Sequence, residues 1–185
     1  MQKLELAGTN FIDPFNLATI GLSSGISIAA NSHSAYGPGM TGFGKNFGVG
    51  LAGDVTGEFF GVFAIPSIAR QDPRYHRMPQ GTVRQRIWHA VSRTLIGQSD
   101  HGSSMPNYST LLTYPIANEM ANLYAPGIQR DIKSTGKRVA IGYATDPVGN
   151  IIAEFLPDLA SRIHVRSVFF QQILNKIATD PNMAQ

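Results

Sequence analysis

Apolar positions recur every four residues through the middle of the chain: Phe43, Phe47, Leu51, Val55, Phe59 and Phe63. The spacing fits one stripe of a helix, but every member is odd-numbered and so also fits an alternating strand. Length separates the two, because 21 residues without a turn signal are long for a strand and ordinary for a helix. The pattern therefore predicts a helix from about Thr41 to Ala69, with a β-barrel-like membrane protein as the structural alternative. A second stripe, Val83, Ile87, Val91 and Leu95, predicts an amphipathic helix from Thr82 to about Ile96. Arg86, His89 and Arg93 gather on its other face, and Trp88 sits at the edge of the stripe.

Breakers and caps divide the rest. Asp13-Pro14 opens a helix that runs to about Ala30, with Asp13 as N-cap and proline at the first helical position. Asn107 or Ser109 caps a helix that reaches about Tyr124, kinked near Pro115 and stopped by Ala125-Pro126-Gly127. Lys137 to Phe155 reads as helical with an interruption at Asp146-Pro147, Pro157 breaks it again, and a last amphipathic helix spans about Leu159 to Ala178. These elements predict an all-α, glycine-rich bundle of five to six short helices in one domain, with 1–12 and 179–185 as tails.

Glycine gives the packing hypothesis. Gly53, Gly57 and Gly61 are four apart, as are Gly44 and Gly48, and Gly21 and Gly25. On a helix such residues share a face and admit a neighbouring backbone, within the chain or from a second copy.

Composition narrows the surroundings. Only 15% of the 185 residues are charged, against 43% hydrophobic and 19 glycines, which points to partners or a membrane surface. The absence of cysteine excludes disulfides, zinc-thiolate sites and thiol catalysis. The most apolar run, Phe47 to Ala69, is interrupted by Asp54, Glu58 and Pro66, which argues against a simple spanning helix, and no signal-peptide pattern follows Met1. The formal charge of +3 is local in origin. Arg70, Arg74, Arg77, Arg84, Arg86 and Arg93 face Asp72 alone within their segment, and guanidinium groups suit phosphate and carboxylate oxygens. These six are the candidate anion-binding residues; an anionic lipid surface suits them better than nucleic acid, for which no recognised module is present. The competing reading pairs them with the chain's own carboxylates.

For chemistry, Asp54 and Glu58 lie four apart beside the glycines and are candidates for acid–base work, or for ion pairs with the arginine segment. Asp72, Asp100 and His101, with Arg74, Arg93 and Asn107, extend that set to a hydrolase or lyase of unfamiliar type. A bundle di-metal site requires Glu-x-x-His, and Glu58, Glu119 and Glu154 are followed at the third position by Gly61, Asn122 and Pro157. No metal motif, P-loop, dinucleotide fingerprint or nucleophile elbow appears, and no cofactor is indicated.

The blocks Gly42-Phe43-Gly44-Lys45-Asn46-Phe47-Gly48, Gln71-Asp72-Pro73-Arg74-Tyr75, Ser92-Arg93, Asp100-His101-Gly102, Pro106-Asn107-Tyr108-Ser109 and Asn122-Leu123-Tyr124-Ala125-Pro126 resemble, in order, those of an uncharacterised family of predicted exported proteins from acidobacterial-type genomes. The likeness covers roughly Gly37 to Phe155. It implies export to the cell envelope and no particular reaction. Two positions depart from the family's pattern, His101 within the Asp-x-Gly block and Ala125 where a second tyrosine is common. The expected function is a non-enzymatic envelope or membrane-associated protein with close helix packing, an anionic-surface contact and self-association.

Overall fold

The computed structural model describes residues 2–30 and 35–162. The fold is a bundle of helices with one small sheet. Its helices are α1 (Gln2–Phe11), α2 (Pro14–Ala30), α3 (Gly39–Glu58), α4 (Ile65–Ala69), α5 (Val83–Ser92), α6 (Tyr108–Tyr124) and α7 (Ile132–Arg162). The segment expected at 1–12 as a tail is thus the helix α1, anchored by Lys3 Nζ on the Pro66 carbonyl (3.0 Å) and by Asn10 on Glu58. The expected tail at 179–185, and most of the helix expected from Leu159, lie outside the described residues.

The stripe from Phe43 to Phe63 is helical, not stranded. A π-helical stretch, Phe59–Ala64, joins α3 to α4, so that Gly39–Ala69 forms one helical rod of 31 residues, about 46 Å at 1.5 Å per residue. The π stretch has a local cause. Ile65 donates to the Phe60 carbonyl, five residues back, and in that register the Gly61 carbonyl would need the N–H of Pro66, which proline lacks. The Ser109 hydroxyl on α6 supplies the missing donor to Gly61 O.

Caps set the other helix starts. Asp13 Oδ1 accepts from Phe15 N (2.7 Å) at the head of α2, and Thr82 with Gln85 forms a capping box on α5. Asn107 caps α6 through Thr110 N (3.1 Å). α7 corrects the sequence expectation: it runs unbroken through Pro147 and Pro157, where interruptions were expected. Side chains hold it there, with Asp146 accepting from Tyr114 Oη (3.0 Å) and Thr94 Oγ1 (2.6 Å), and Glu154 buried against α5.

A three-stranded antiparallel sheet closes one side: β1 (Gln71–Asp72), β2 (Ile96–Ser99) and β3 (Ser104–Pro106), in that order. Asp72 pairs with Gln98 and Gly97 with Met105. Arg70, at φ 53°, turns the chain from α4 into β1 in the left-handed conformation. These strands close no barrel. They bring together the two loops that flank α5.

The glycine faces divide. Close approach occurs at Gly50, where an added Cβ would lie 2.7 Å from Ile20 Cγ2 on α2, and at Gly142, where it would lie 2.5 Å from the Tyr114 ring on α6. Gly53 and Gly61 meet neighbours only at ordinary or slightly tight distances, while Gly44, Gly48 and Gly57 face open space among the described residues. The expected ladder is therefore not the seam of the bundle. Close packing is placed elsewhere on α3 and on α7.

Among the described residues the interior is unusually polar. Its fully buried large side chains are Gln71, Glu154 and Pro66, whereas Phe15, Leu22 and Ile26 on α2, Val55 and Phe59 on the long rod, and Ile141, Val148, Ile152 and Leu159 on α7 are exposed. One described helix, Gly39–Ala69, is long and apolar enough to cross a membrane, and only 11% of its apolar window is buried, unlike the core helix of a water-soluble domain.

Candidate functional site

α5 is the element that departs furthest from its sequence pattern. Its spacing gives an apolar stripe and an opposite face that carries Arg86, His89 and Arg93. Here Val83 is 64%, Trp88 74% and Leu95 59% exposed, whereas Arg86 is only 8% exposed and Ala90 is buried. The helix has turned its arginine face inward. Thr82, Val83, Arg84, Gln85, Ile87 and Trp88 line an open, largely apolar groove on the outer side.

The inward face meets α7. Arg86 Nε donates to Glu154 Oε1 (2.8 Å), and its Nη2 donates to the Glu154 carbonyl oxygen and to Asp158 Oδ2 (both 2.6 Å). The same guanidinium stacks over Phe155 at 4.3 Å. Arg77 Nη2 reaches Asp158 Oδ1 (2.6 Å) and its Nε the Glu154 carbonyl oxygen (3.1 Å). Tyr75 Oη (3.0 Å) and the Met78 N–H (3.1 Å) complete the donors around the Glu154 carboxylate. Burial would raise the Asp158 carboxyl, but hydrogen bonds from Arg77 and Arg86 outweigh it and hold the group below its ordinary value. Burial and the Glu154 charge push the Tyr75 phenol upward. Among the described residues two charges of each sign thus meet, which makes a structural clamp.

The arginine set is corrected accordingly. Arg77 and Arg86 are internal ion-pair partners and are not open to an external anion. Arg70 and Arg84 are exposed, while Arg74 and Arg93 are half-buried at the sheet. The expected partnership of these arginines with Asp54 and Glu58 is replaced by Glu154 and Asp158. Asp54 accepts from Asn16 Nδ2 (2.7 Å) on α2 and Glu58 from Asn10 Nδ2 (3.1 Å) on α1. Those carboxylates tie the first two helices to the long rod.

The remaining candidates divide between two places. Asp72, Arg74, Arg93 and Asn107 line one small polar cavity of about 100 Å³, with Gln71, Gln98 and Asn150. Asp72 and Arg74 also line a neighbouring groove with Asp100, which pairs there with Lys3 Nζ (2.8 Å). His101 is exposed in the turn between β2 and β3, where its backbone N–H donates to Ser99 Oγ (3.3 Å). Asp72 holds His76 Nε2 at 3.3 Å, and among the described residues His76 Nδ1 is buried without a hydrogen-bond partner. Burial lowers the His76 pKa from its ordinary value, against the raising field of Asp72, which favours the neutral ring. Among the described residues no group of three or more histidines or carboxylates gathers as metal ligands.

Sequence reasoning missed Asp158 and the depth at which Glu154 lies. Their i, i+4 spacing was the available signal, and Pro157 between them hid it by suggesting a break. Comparison with family models, with curated proteins and with solved structures finds no match for this chain.

Proposed function

We propose that this is a non-enzymatic membrane-associated protein of the cell envelope, whose helical bundle meets lipid through its outward apolar faces. The observation that carries the reading is the inversion of α5, with Arg86 inside on Glu154 and Val83, Ile87, Trp88 and Leu95 outside. A helix with this polarity gains nothing from water on its outer face, and a bundle that pairs its charges internally suits an apolar exterior. Each exposed aliphatic side chain transferred from water to hydrocarbon contributes about 1.5–3 kcal/mol. Arg84, exposed one turn before Trp88, is the arginine placed to meet an anionic headgroup beside that apolar face. The open glycines Gly44 and Gly48 leave a smooth strip on the long rod, which suits self-association within a membrane.

Flotation with lipid vesicles tests the reading. The full chain is expected to float with phosphatidylcholine vesicles and more completely when phosphatidylglycerol is added; Ile87→Asp abolishes flotation, and Arg84→Glu removes only the gain from the anionic lipid. Protein that stays at the bottom of the gradient with both vesicle types overturns it.

A further inference from the structure

We propose that the cavity beside Arg93 binds a phosphate-type oxyanion, drawn either from a lipid headgroup or from free phosphate. Among the described residues the cavity is lined by two arginines, Arg74 and Arg93, and by one acidic residue, Asp72. Asp72 is already engaged, with His76 Nε2 at 3.3 Å and the Arg74 N–H at 3.0 Å. Arg93 is not. Among the described residues its guanidinium has one acceptor, Gln98 Oε1 at 3.5 Å, and no carboxylate within ion-pair distance. This contrasts with Arg77 and Arg86 on the same segment, each of which has a carboxylate at 2.6–2.8 Å. Burial pushes the Arg93 guanidinium down from its ordinary value, against the raising influence of Tyr75 and Asp72, so a counter-charge is what this position lacks.

Part of the lining is fixed before any ligand arrives. Gln71, 2% exposed, donates from Nε2 to Asn107 Oδ1 (2.8 Å) and accepts from the Ser109 N–H (3.1 Å). Asn107 Nδ2 donates to the Arg93 carbonyl oxygen (2.7 Å), which ties the arginine's backbone to the same part of the lining. Preorganisation of this kind reduces the entropy lost on binding. A space of about 100 Å³ admits one small oxyanion and excludes a nucleotide. The planar fork of Arg93 is suited to two oxygens of such a group at once. The inference does not rest on membrane contact, since free phosphate can enter a detergent-solubilised protein.

The test is thermal unfolding of the full chain in detergent with added sodium phosphate, against sodium chloride at equal ionic strength, and vesicle flotation with and without phosphatidic acid. Ligand that binds only the folded state raises the midpoint. Phosphate is expected to raise it where chloride does not. Arg93→Lys, which keeps the charge and loses the fork, weakens the effect about tenfold, and Lys137→Gln at an exposed position of α7 leaves it unchanged. If phosphate alone has no effect but phosphatidic acid improves flotation in the wild type and not in Arg93→Lys, the headgroup is the source and the proposal stands. Equal effects of phosphate and chloride, together with phosphatidic acid flotation that is insensitive to Arg93→Lys, overturn it. Should Arg93→Lys fail to fold, the phosphate–chloride comparison on wild type decides, with a crystallographic or nuclear-magnetic-resonance placement of phosphate at Arg93 required for support.

Discussion

Truncating Glu154 probes the inverted packing of α5 most sharply, because its carboxylate is the reason an arginine can lie inside. Glu154 is 0% exposed and receives Arg86 Nε at 2.8 Å, Tyr75 Oη at 3.0 Å and the Met78 N–H at 3.1 Å. Glu154→Ala removes all three acceptor contacts. Breaking a buried ion pair by removing one partner costs about 3–5 kcal/mol, and each orphaned neutral donor about 1–3 kcal/mol. Two features lower the sum. Arg86 retains Asp158 and the residue-154 carbonyl oxygen, each at 2.6 Å, and Tyr75 is half-buried, within reach of water. The expected loss is therefore about 3–4 kcal/mol, a large share of the roughly 5–15 kcal/mol that holds a domain folded. Glu154→Gln keeps an acceptor and loses the charge, for about half that cost. The double variant Arg86→Met/Glu154→Leu replaces the pair by apolar groups and is expected to lie within about 1 kcal/mol of wild type. Urea unfolding in mild detergent, followed by far-ultraviolet circular dichroism, measures these variants together with the single changes Arg86→Met and Glu154→Leu that complete the cycle. The reasoning is refuted if Glu154→Ala costs less than about 1 kcal/mol, or if the double variant is as unstable as the sum of its single changes.

Further outcomes follow from other positions. Ser109→Ala leaves the Gly61 carbonyl, which Pro66 cannot serve, without its donor, and is expected to lower stability by about 1–2 kcal/mol, read from the same unfolding curves. Gly50→Ala drives a Cβ to 2.7 Å from Ile20 and is expected to cost about 1–3 kcal/mol, whereas Gly48→Ala meets open space and is expected to stabilise by about 0.5–1 kcal/mol; equal effects in thermal melts would contradict the packing assigned to α2 and α3. The His76 pKa lies below its ordinary 6.5 in the folded chain, so the unfolded chain binds the proton more readily. Its contribution to stability is then complete above pH 6.5 and is lost as pH falls through the folded value. His76→Gln is expected to flatten the fall in melting temperature between pH 7 and pH 5.

How much of this was legible in the sequence depends on whether the deciding contact is local. Helix starts were, because Asp13, Thr82 and Asn107 act on N–H groups two or three residues away. The long rod was legible from its length. The facing of α5 was not: the spacing of Val83, Ile87, Val91 and Leu95 establishes two faces, and only Glu154, 68 residues beyond Arg86, determines which of them turns inward. The continuity of α7 was hidden for a similar reason, since proline propensity favours a break and the side-chain anchors at Asp146 and Glu154 come from other elements. The sheet escaped notice because strands of two to four residues carry no period to read. Of the acid–base candidates, the sheet brings Asp72, Arg74, Arg93 and Asn107 to one cavity, while Asp54, Glu58, Asp100 and His101 lie outside its lining.

The central claim is that the apolar face of α5 looks outward toward lipid, and the chain carries a single tryptophan on that face to report it. Fluorescence of Trp88 on adding anionic vesicles is the most direct measurement. A shift of emission to shorter wavelength with quenching by brominated acyl chains is the predicted result; emission that does not move and remains open to aqueous iodide would contradict the account.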